Sequence, residues 1–325
     1  MTELIWIIAL IVVGIALLAK GADFLVNGST DLARFFRVSP LLIGLTVVAF
    51  GTSLPEFFVS MTAVLKGVYD IAVGNIIGSN ISNIGLIIGI SALIYPLAVK
   101  AKTLSHEFPF LVVSSFLFVI LANDRYLFRK ETLSIGWFDG IIFIFAAGLF
   151  LYYIYSSAKE QRSVMKEFAQ EFKHKNPLWK NIVFIISGII MLVAGGKLLV
   201  NSSTEIANYF GIGTRFVGLT IVAVGTSLPE LFTCVVAALK KEADIALGNI
   251  VGSNIFNILF VFGATGIVKT ITIGEKLLFI DSIIMIFFTL LFLLFATKSK
   301  KIKRYEGVIL LMFYAGYIIF LARTL

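Results

Sequence analysis

Gly51-Thr52-Ser53-Leu54-Pro55-Glu56 recurs unchanged as Gly225-Thr226-Ser227-Leu228-Pro229-Glu230. Outward from this pair the repetition continues at one constant offset, 230 − 56 = 174. Gly44-Leu45-Thr46 returns as Gly218-Leu219-Thr220, and Asp70-Ile71-Ala72 as Asp244-Ile245-Ala246. Gly74-Asn75, Gly78-Ser79-Asn80-Ile81 and Asn83 return as Gly248-Asn249, Gly252-Ser253-Asn254-Ile255 and Asn257. About 28 of the 46 positions from Gly44 to Gly89 match their partners, far beyond chance, so the chain contains an internal duplication. Further out, Leu25-Val26-Asn27 matches Leu199-Val200-Asn201, and Glu107 falls on Asp281.

The medium in which this duplication folds follows from composition. Of 325 residues, 59% are hydrophobic and only 14% charged, against about a quarter charged in soluble domains. Leu4 to Ala19, Phe110 to Leu121, Gly140 to Tyr155 and Leu277 to Ala296 are almost free of charge. Spanning a bilayer takes about 20 such residues. Ten spans are expected, at roughly 3–20, 41–66, 70–95, 106–122, 137–156, 179–200, 216–240, 244–268, 276–296 and 306–323. The first lacks the basic leader of a signal peptide and belongs to the repeat, so it counts as a span. Each half holds five. Five is odd, so the second half enters the membrane from the opposite side. The expected fold is an all-α polytopic membrane protein with ten transmembrane helices in two inverted five-helix repeats. The first repeat covers 1–158, a cytoplasmic linker 159–178, and the second repeat 179–325.

Alternating the loops between the two sides sorts the charges. One side collects about 18 of the 27 Lys and Arg, including Lys159 to Lys180 and Lys298 to Arg304. That side is expected to be cytoplasmic, which places both termini outside, in the cell inner (plasma) membrane. Such loops account for the net charge of +8 without nucleic acid. The run Lys298 to Arg304 sets topology, or contacts anionic membrane lipid. A single cysteine, Cys234, excludes an internal disulfide, and two histidines argue against a zinc site. No cofactor and no obligatory protein partner are expected.

The duplicated hexapeptide interrupts an apolar span. Pro55 lacks an amide hydrogen and clashes with a continuing helix. Ser53 can start a new half-helix with Pro55 and Glu56 in its first turn, while the preceding half-helix ends near Ala49 to Gly51 with freed carbonyls. In a soluble helix Ser53 and Glu56 would read as a capping box, and Ser227 and Glu230 likewise. Here each glutamate lies inside an apolar span, where a charge costs at least about 2.5 kcal/mol. Two at equivalent positions point to ion binding. Ser79 and Asn83 are four apart and share a helix face, as do Ser253 and Asn257; the serine and asparagine oxygens of the motif, those of Asn75, Asn80, Asn249 and Asn254 included, suit either ligation or interhelical hydrogen bonds. The glycines Gly74, Gly78, Gly248 and Gly252 suit close helix approach.

Every donor on offer is oxygen. Hard cations such as calcium and sodium want oxygen, and two glutamates neutralise one calcium ion. No nucleotide-binding loop appears, so transport would run on an ion gradient. A proton/calcium antiporter is the nearest alternative, since a desolvated carboxylate can carry a proton. A passive channel fits less well, because tight calcium binding opposes rapid exit. A membrane enzyme fits less well still, for lack of paired aspartates, a histidine cluster or an activated serine. Glu107 and Asp281 start their spans and suit a water-filled entrance. The first and sixth spans carry Gly14 and Gly195-Gly196 and few mid-membrane polar groups, so they are the ones expected to slide.

The paired motifs resemble the alpha-repeats of the cation/calcium exchanger superfamily, most closely its prokaryotic sodium/calcium exchanger branch. The resemblance covers the whole chain. It implies a secondary active antiporter, not an enzyme, that exchanges Na+ for Ca2+ by alternating access around four central ion positions. By motif position, Glu56 and Glu230 would bind calcium with the carbonyls of Thr52 and Thr226. Ser53, Ser227, Ser79 and Ser253, with the carbonyls of Ala49 and Ala223, would complete sodium sites, and Asn83 and Asn257 would lie beside them. The resemblance favours three sodium ions per calcium. Many relatives carry aspartate where this chain has Asn257, a departure that bears on stoichiometry and on potassium coupling.

Overall fold

A computed structural model of the chain describes residues 2–123, 132–166, 176–209, 225–275 and 277–324. Among them the architecture is helical apart from four two-residue strands. Eight helices are long and apolar enough to cross a membrane, and a broken pair makes a ninth.

Helix α1 spans Thr2–Phe36. The broken pair follows as α2, Pro40–Thr52, and α3, Leu54–Leu65, bent by 44° at Ser53. Then come α4 (Tyr69–Ile94), α5 (Glu107–Leu121), α6 (Trp137–Lys166) and α7 (Leu178–Tyr209). The remainder is α8 (Leu228–Leu239), α9 (Ala243–Val268), α10 (Ser282–Ser299) and α11 (Arg304–Thr324). Helix α8 is the described part of the span expected at 216–240; residues 216–224 lie outside the described residues.

Burial separates centre from rim. In the most apolar stretches of α4 and α9, 78% and 89% of residues are buried, against 22–33% in the other unbroken spans. The rim exposes large apolar side chains such as Trp6, Phe145, Tyr152, Ile190 and Met312, the surface a bilayer requires. Around the centre, α9 crosses α2 at minimal separation. A Cβ on Gly252 would sit 2.6 Å from the Leu45 carbonyl, and one on Gly248 equally near that of Leu41. The close-approach reading therefore holds for these two glycines. For Gly74 and Gly78 the partner positions by the 174 offset fall within 215–223, outside the described residues.

Helices α1 and α7 pack along one another. Gly14 meets Gly195, Gly21 meets Gly188, and Gly28 meets the Asn181 carbonyl, with the added Cβ 2.8–3.1 Å from backbone oxygen in each case. Seven-residue spacing keeps the three α1 glycines on one stripe. Three spans are longer than expected. The first runs to Phe36, not 20; the fifth to Lys166, not 156; the sixth to Tyr209, not 200. Hydropathy marks only the lipid-embedded part of a helix. Beyond it α1 continues through polar residues, with Lys20 and Asp23 paired one turn apart.

Short antiparallel strands clasp the halves. β1 (Leu97–Ala98) pairs with β4 (Lys301–Ile302), and β2 (Ser134–Ile135) with β3 (Ile271–Thr272). The 174 offset carries β1 onto β3.

Candidate functional site

The site forms where the break between α2 and α3 faces the start of α8, flanked by α4 and α9. Ser53 N donates to Ala49 O (3.0 Å) and Phe57 N to Ser53 O (3.1 Å), which carries the chain across the break. Pro55 cannot donate to Gly51, so backbone is freed there as the sequence indicates.

The capping box does not form. Ser53 and Ser227 occupy the N-cap positions, yet neither side chain caps its own helix. Each hydroxyl donates instead to the glutamate of the other half. Ser53 Oγ reaches Glu230 Oε1 at 3.1 Å, and Ser227 Oγ reaches Glu56 Oε1 at 3.1 Å. Ser79 Oγ donates to the same Glu56 oxygen at 3.4 Å and lies 3.1 Å from Ser227 Oγ. Both carboxylates are fully buried.

A second exchange across the halves holds the two threonines. Thr52 Oγ1 donates to Asn249 Oδ1 (3.0 Å), and Thr226 Oγ1 to Asn75 Oδ1 (3.1 Å). Asn75 Nδ2 is spent on Glu56 O (3.2 Å) and Ser60 Oγ (2.9 Å). Asn249 Nδ2 goes to Cys234 Sγ at 3.4 Å, and Cys234 stands where the offset places Ser60. This accounts for the lone cysteine as a packing and hydrogen-bonding group. Ala49 O receives Thr52 Oγ1 (3.4 Å) and Ser253 Oγ (3.5 Å).

On the flanking helices, wide π-helical turns begin at Asn83 and again at Asn257. Such turns recur at functional sites. Asn83 Nδ2 donates to Asn254 Oδ1 (2.9 Å), and Asn257 Nδ2 to Asn80 Oδ1 (3.1 Å).

Four buried atoms in this assembly find no partner: Glu56 Oε2, Glu230 Oε2, Asn83 Oδ1 and Asn257 Oδ1. All are acceptors, and they fall into two symmetric pairs. An unsatisfied buried polar group costs about 1–3 kcal/mol, more when charged. A cation held among these oxygens would remove this cost, as would a proton on a glutamate. Among the described residues no group of three or more His, Cys, Asp or Glu is placed to hold a metal ion.

Of the positions singled out in the sequence, Glu56, Glu230, Ser53, Ser227, Ser79, Thr52, Asn83 and Asn257 join this network. Thr226 is present through its hydroxyl, and Ser253 reaches the Ala49 carbonyl. Ala223 lies outside the described residues. Asn75, Asn249, Asn80 and Asn254 belong to the site's frame; of the two roles open to the motif's asparagines, ligation or interhelical hydrogen bonding, these four take up the second. Their signal was exact recurrence at the 174 offset, shared with the serines beside them. Glu107 and Asp281 stand apart, each accepting from a tyrosine: Tyr153 OH at 2.8 Å and Tyr317 OH at 3.0 Å.

These features define a class: a polytopic membrane protein with a buried, oxygen-lined cluster of acceptors where two duplicated segments meet. Known proteins place it further. The sodium/calcium exchanger protein family matches residues 6–156 and 180–323. The sodium/calcium exchanger MaX1 of Methanosarcina acetivorans is 33% identical, the alignment covering 96% of this chain and 97% of MaX1. The inner membrane protein YrbG of Escherichia coli is 36% identical, with 97% and 95% covered. A solved structure of the sodium-calcium exchanger NCX_Mj, soaked with Na+ and Ca2+, superposes with a TM-score of 0.81 at 32% identity, covering 97% of this chain and 98% of that one. The chain belongs to the sodium/calcium exchanger protein family.

Proposed function

We propose that this chain is a secondary active antiporter that exchanges Na+ for Ca2+ by alternating access. The observation that carries the reading is the set of four orphaned acceptor oxygens, two from buried glutamates and two from asparagines. Glu56 and Glu230 bind calcium, with the carbonyls of Thr52 and Thr226. Ser53, Ser227, Ser79 and Ser253, with the carbonyls of Ala49 and Ala223, complete sodium positions beside Asn83 and Asn257. The relatives named for sodium/calcium exchange support this choice of ions. Ten spans in two inverted repeats make the two sides of the membrane equivalent for the site, which is what alternation needs.

Charge counting sets the electrical behaviour. With both glutamates ionised, a calcium-loaded site is neutral, 2 − 2 = 0. Three sodium ions leave +1, tolerable because half-helix C-termini present partial negative charge. Exchange is therefore expected to be electrogenic, with one net charge moved per calcium. The test is reconstitution in liposomes at fixed pH under a clamped potential. An inside-negative voltage should drive calcium out as sodium enters, with or without potassium. Voltage-insensitive flux would mean two sodium ions per calcium. Calcium flux driven by a pH gradient without sodium would mean the proton/calcium antiporter instead.

Orientation has its own test. The basic excess places the linker at 159–178 in the cytoplasm and both termini outside. Cys234 is buried, so Ser163→Cys offers the reachable thiol. It should react in intact cells only with membrane-permeant maleimides. Labelling by an impermeant maleimide from outside would reverse the topology.

A further inference from the structure

The four asparagines at the centre form a directed relay. Asn80 Nδ2 donates to the backbone carbonyl of Asn254 (3.2 Å), and Asn254 Nδ2 to the backbone carbonyl of Asn80 (3.4 Å). A carbonyl can only accept, so the NH2 end of each amide must face the partner backbone. This leaves the oxygens of Asn80 and Asn254 pointing away from it, where they too can only accept. Asn80 Oδ1 takes the Nδ2 of Asn257, and Asn254 Oδ1 takes the Nδ2 of Asn83. With their NH2 groups held, Asn83 and Asn257 present Oδ1, and those are the oxygens left without a partner. All four residues are fully buried. The polarity of every amide thus follows from two backbone carbonyls, with no free choice between oxygen and nitrogen.

Resting on the central cage being the cation site, we infer that Asn80 and Asn254 are positioning residues that aim the oxygens of Asn257 and Asn83 at the cation. Without them a central amide is free to turn its NH2 end inward, and a cation would then meet a positive dipole end. The relay lets a neutral side chain act as a one-sided oxygen ligand at a position where no carboxylate is present.

The competing role is helix glue alone, since the same bonds tie α4 to α9. A double-mutant cycle separates the two. Calcium binding to purified protein is measured by isotope binding, and thermal stability in parallel. Asn80→Ala should weaken calcium binding by about tenfold, the scale of one misaimed buried hydrogen-bonding group. In an Asn257→Ala background, where no amide remains to be aimed, the same change should leave calcium binding nearly unaltered. Its effect on stability should persist in both backgrounds, smaller in Asn257→Ala, where the Asn80–Asn257 bond is already gone while the bonds between Asn80 and Asn254 remain to be lost. Equal weakening of binding in both backgrounds, or none in the native one, overturns the inference. Should Asn80→Ala fail to fold, Asn254→Ala against Asn83→Ala gives the mirror cycle with the same outcomes. Glu56→Gln serves as control. If it binds calcium normally, the cage reading itself fails; if it does not bind and the cycle is additive, the relay alone fails.

Discussion

Glu56→Gln and Glu230→Gln are each expected to abolish calcium exchange while leaving a folded protein. Glutamine keeps the shape and one acceptor oxygen, so Ser227 and Ser79 can still donate at position 56, and Ser53 at position 230. What is removed is one unit of charge from a buried site. Two unit charges 4 Å apart interact by about 4 kcal/mol at an effective dielectric of 20, and calcium's double charge makes that about 8. A mid-membrane glutamate costs at least about 2.5 kcal/mol to keep. The first term acts on calcium affinity and alone corresponds to well over a thousandfold; the second is borne by the folded protein with or without calcium and bears on stability. The stability change should be small or favourable, because an uncompensated buried charge is gone. Exchange is read as sodium-driven calcium flux in liposomes, and folding as a single gel-filtration peak with a melting temperature at or above the native one. Near-normal flux from either variant would remove the carboxylates from the mechanism.

How far these glutamates were legible depends on what their neighbours do in three dimensions. The hexapeptide repeat located both of them, because Pro55 and Pro229 cannot continue an apolar helix from its interior and suit the first turn of a new one. The same letters also spelled a capping box, and nothing local decides between the two readings. The decision lies in the crossing bonds, Ser53 to Glu230 and Ser227 to Glu56, between residues 177 and 171 positions apart. Periodicity and spacing carry no information about such contacts. The roles of Asn75 and Asn249 stayed open between ligation and interhelical bonding for the same reason: the partner threonine of each sits in the other half.

Element boundaries show a different loss. Hydropathy ended the first span near Lys20, yet the glycine stripe that docks α1 on α7 continues through Gly21 to Gly28. Close helix contact, not lipid, holds that extension, and its signal was a seven-residue glycine spacing already present in the sequence. The π-helical turns at Asn83 and Asn257 had no readable precursor beyond their symmetry. They arise where the asparagine amides bond across α4 and α9.

Bridging Asp23 to Lys240 is expected to stop transport without preventing ion binding. Helices α1 and α7 are joined to each other by backbone-close glycine contacts, so under the proposed mechanism they are expected to move as a pair. The proposed ligands lie elsewhere, on α2, α3, α4, α8 and α9. In alternating access the pair must shift past this fixed centre. Lys240, at the end of α8, donates to Asp23 Oδ1 (2.5 Å) and Asn27 Oδ1 (2.7 Å) of α1. This tether joins α1 to the central helices at one end. By the 174 offset the equivalents of Asp23 and Lys240 are Lys197 and Lys66, two cations that cannot pair. The native tether is partly exposed, and such ion pairs contribute about 0–1 kcal/mol, weak enough to open in each cycle. A covalent bridge cannot open. In Asp23→Cys/Lys240→Cys, a short bifunctional thiol reagent should halt sodium-driven calcium flux while calcium binding persists. Buried Cys234 stays out of its reach. Each single cysteine variant should transport at close to the native rate after the same treatment, and a cleavable linker should restore flux when cut. Undiminished flux through an efficiently bridged protein would mean that α1 does not move against α8.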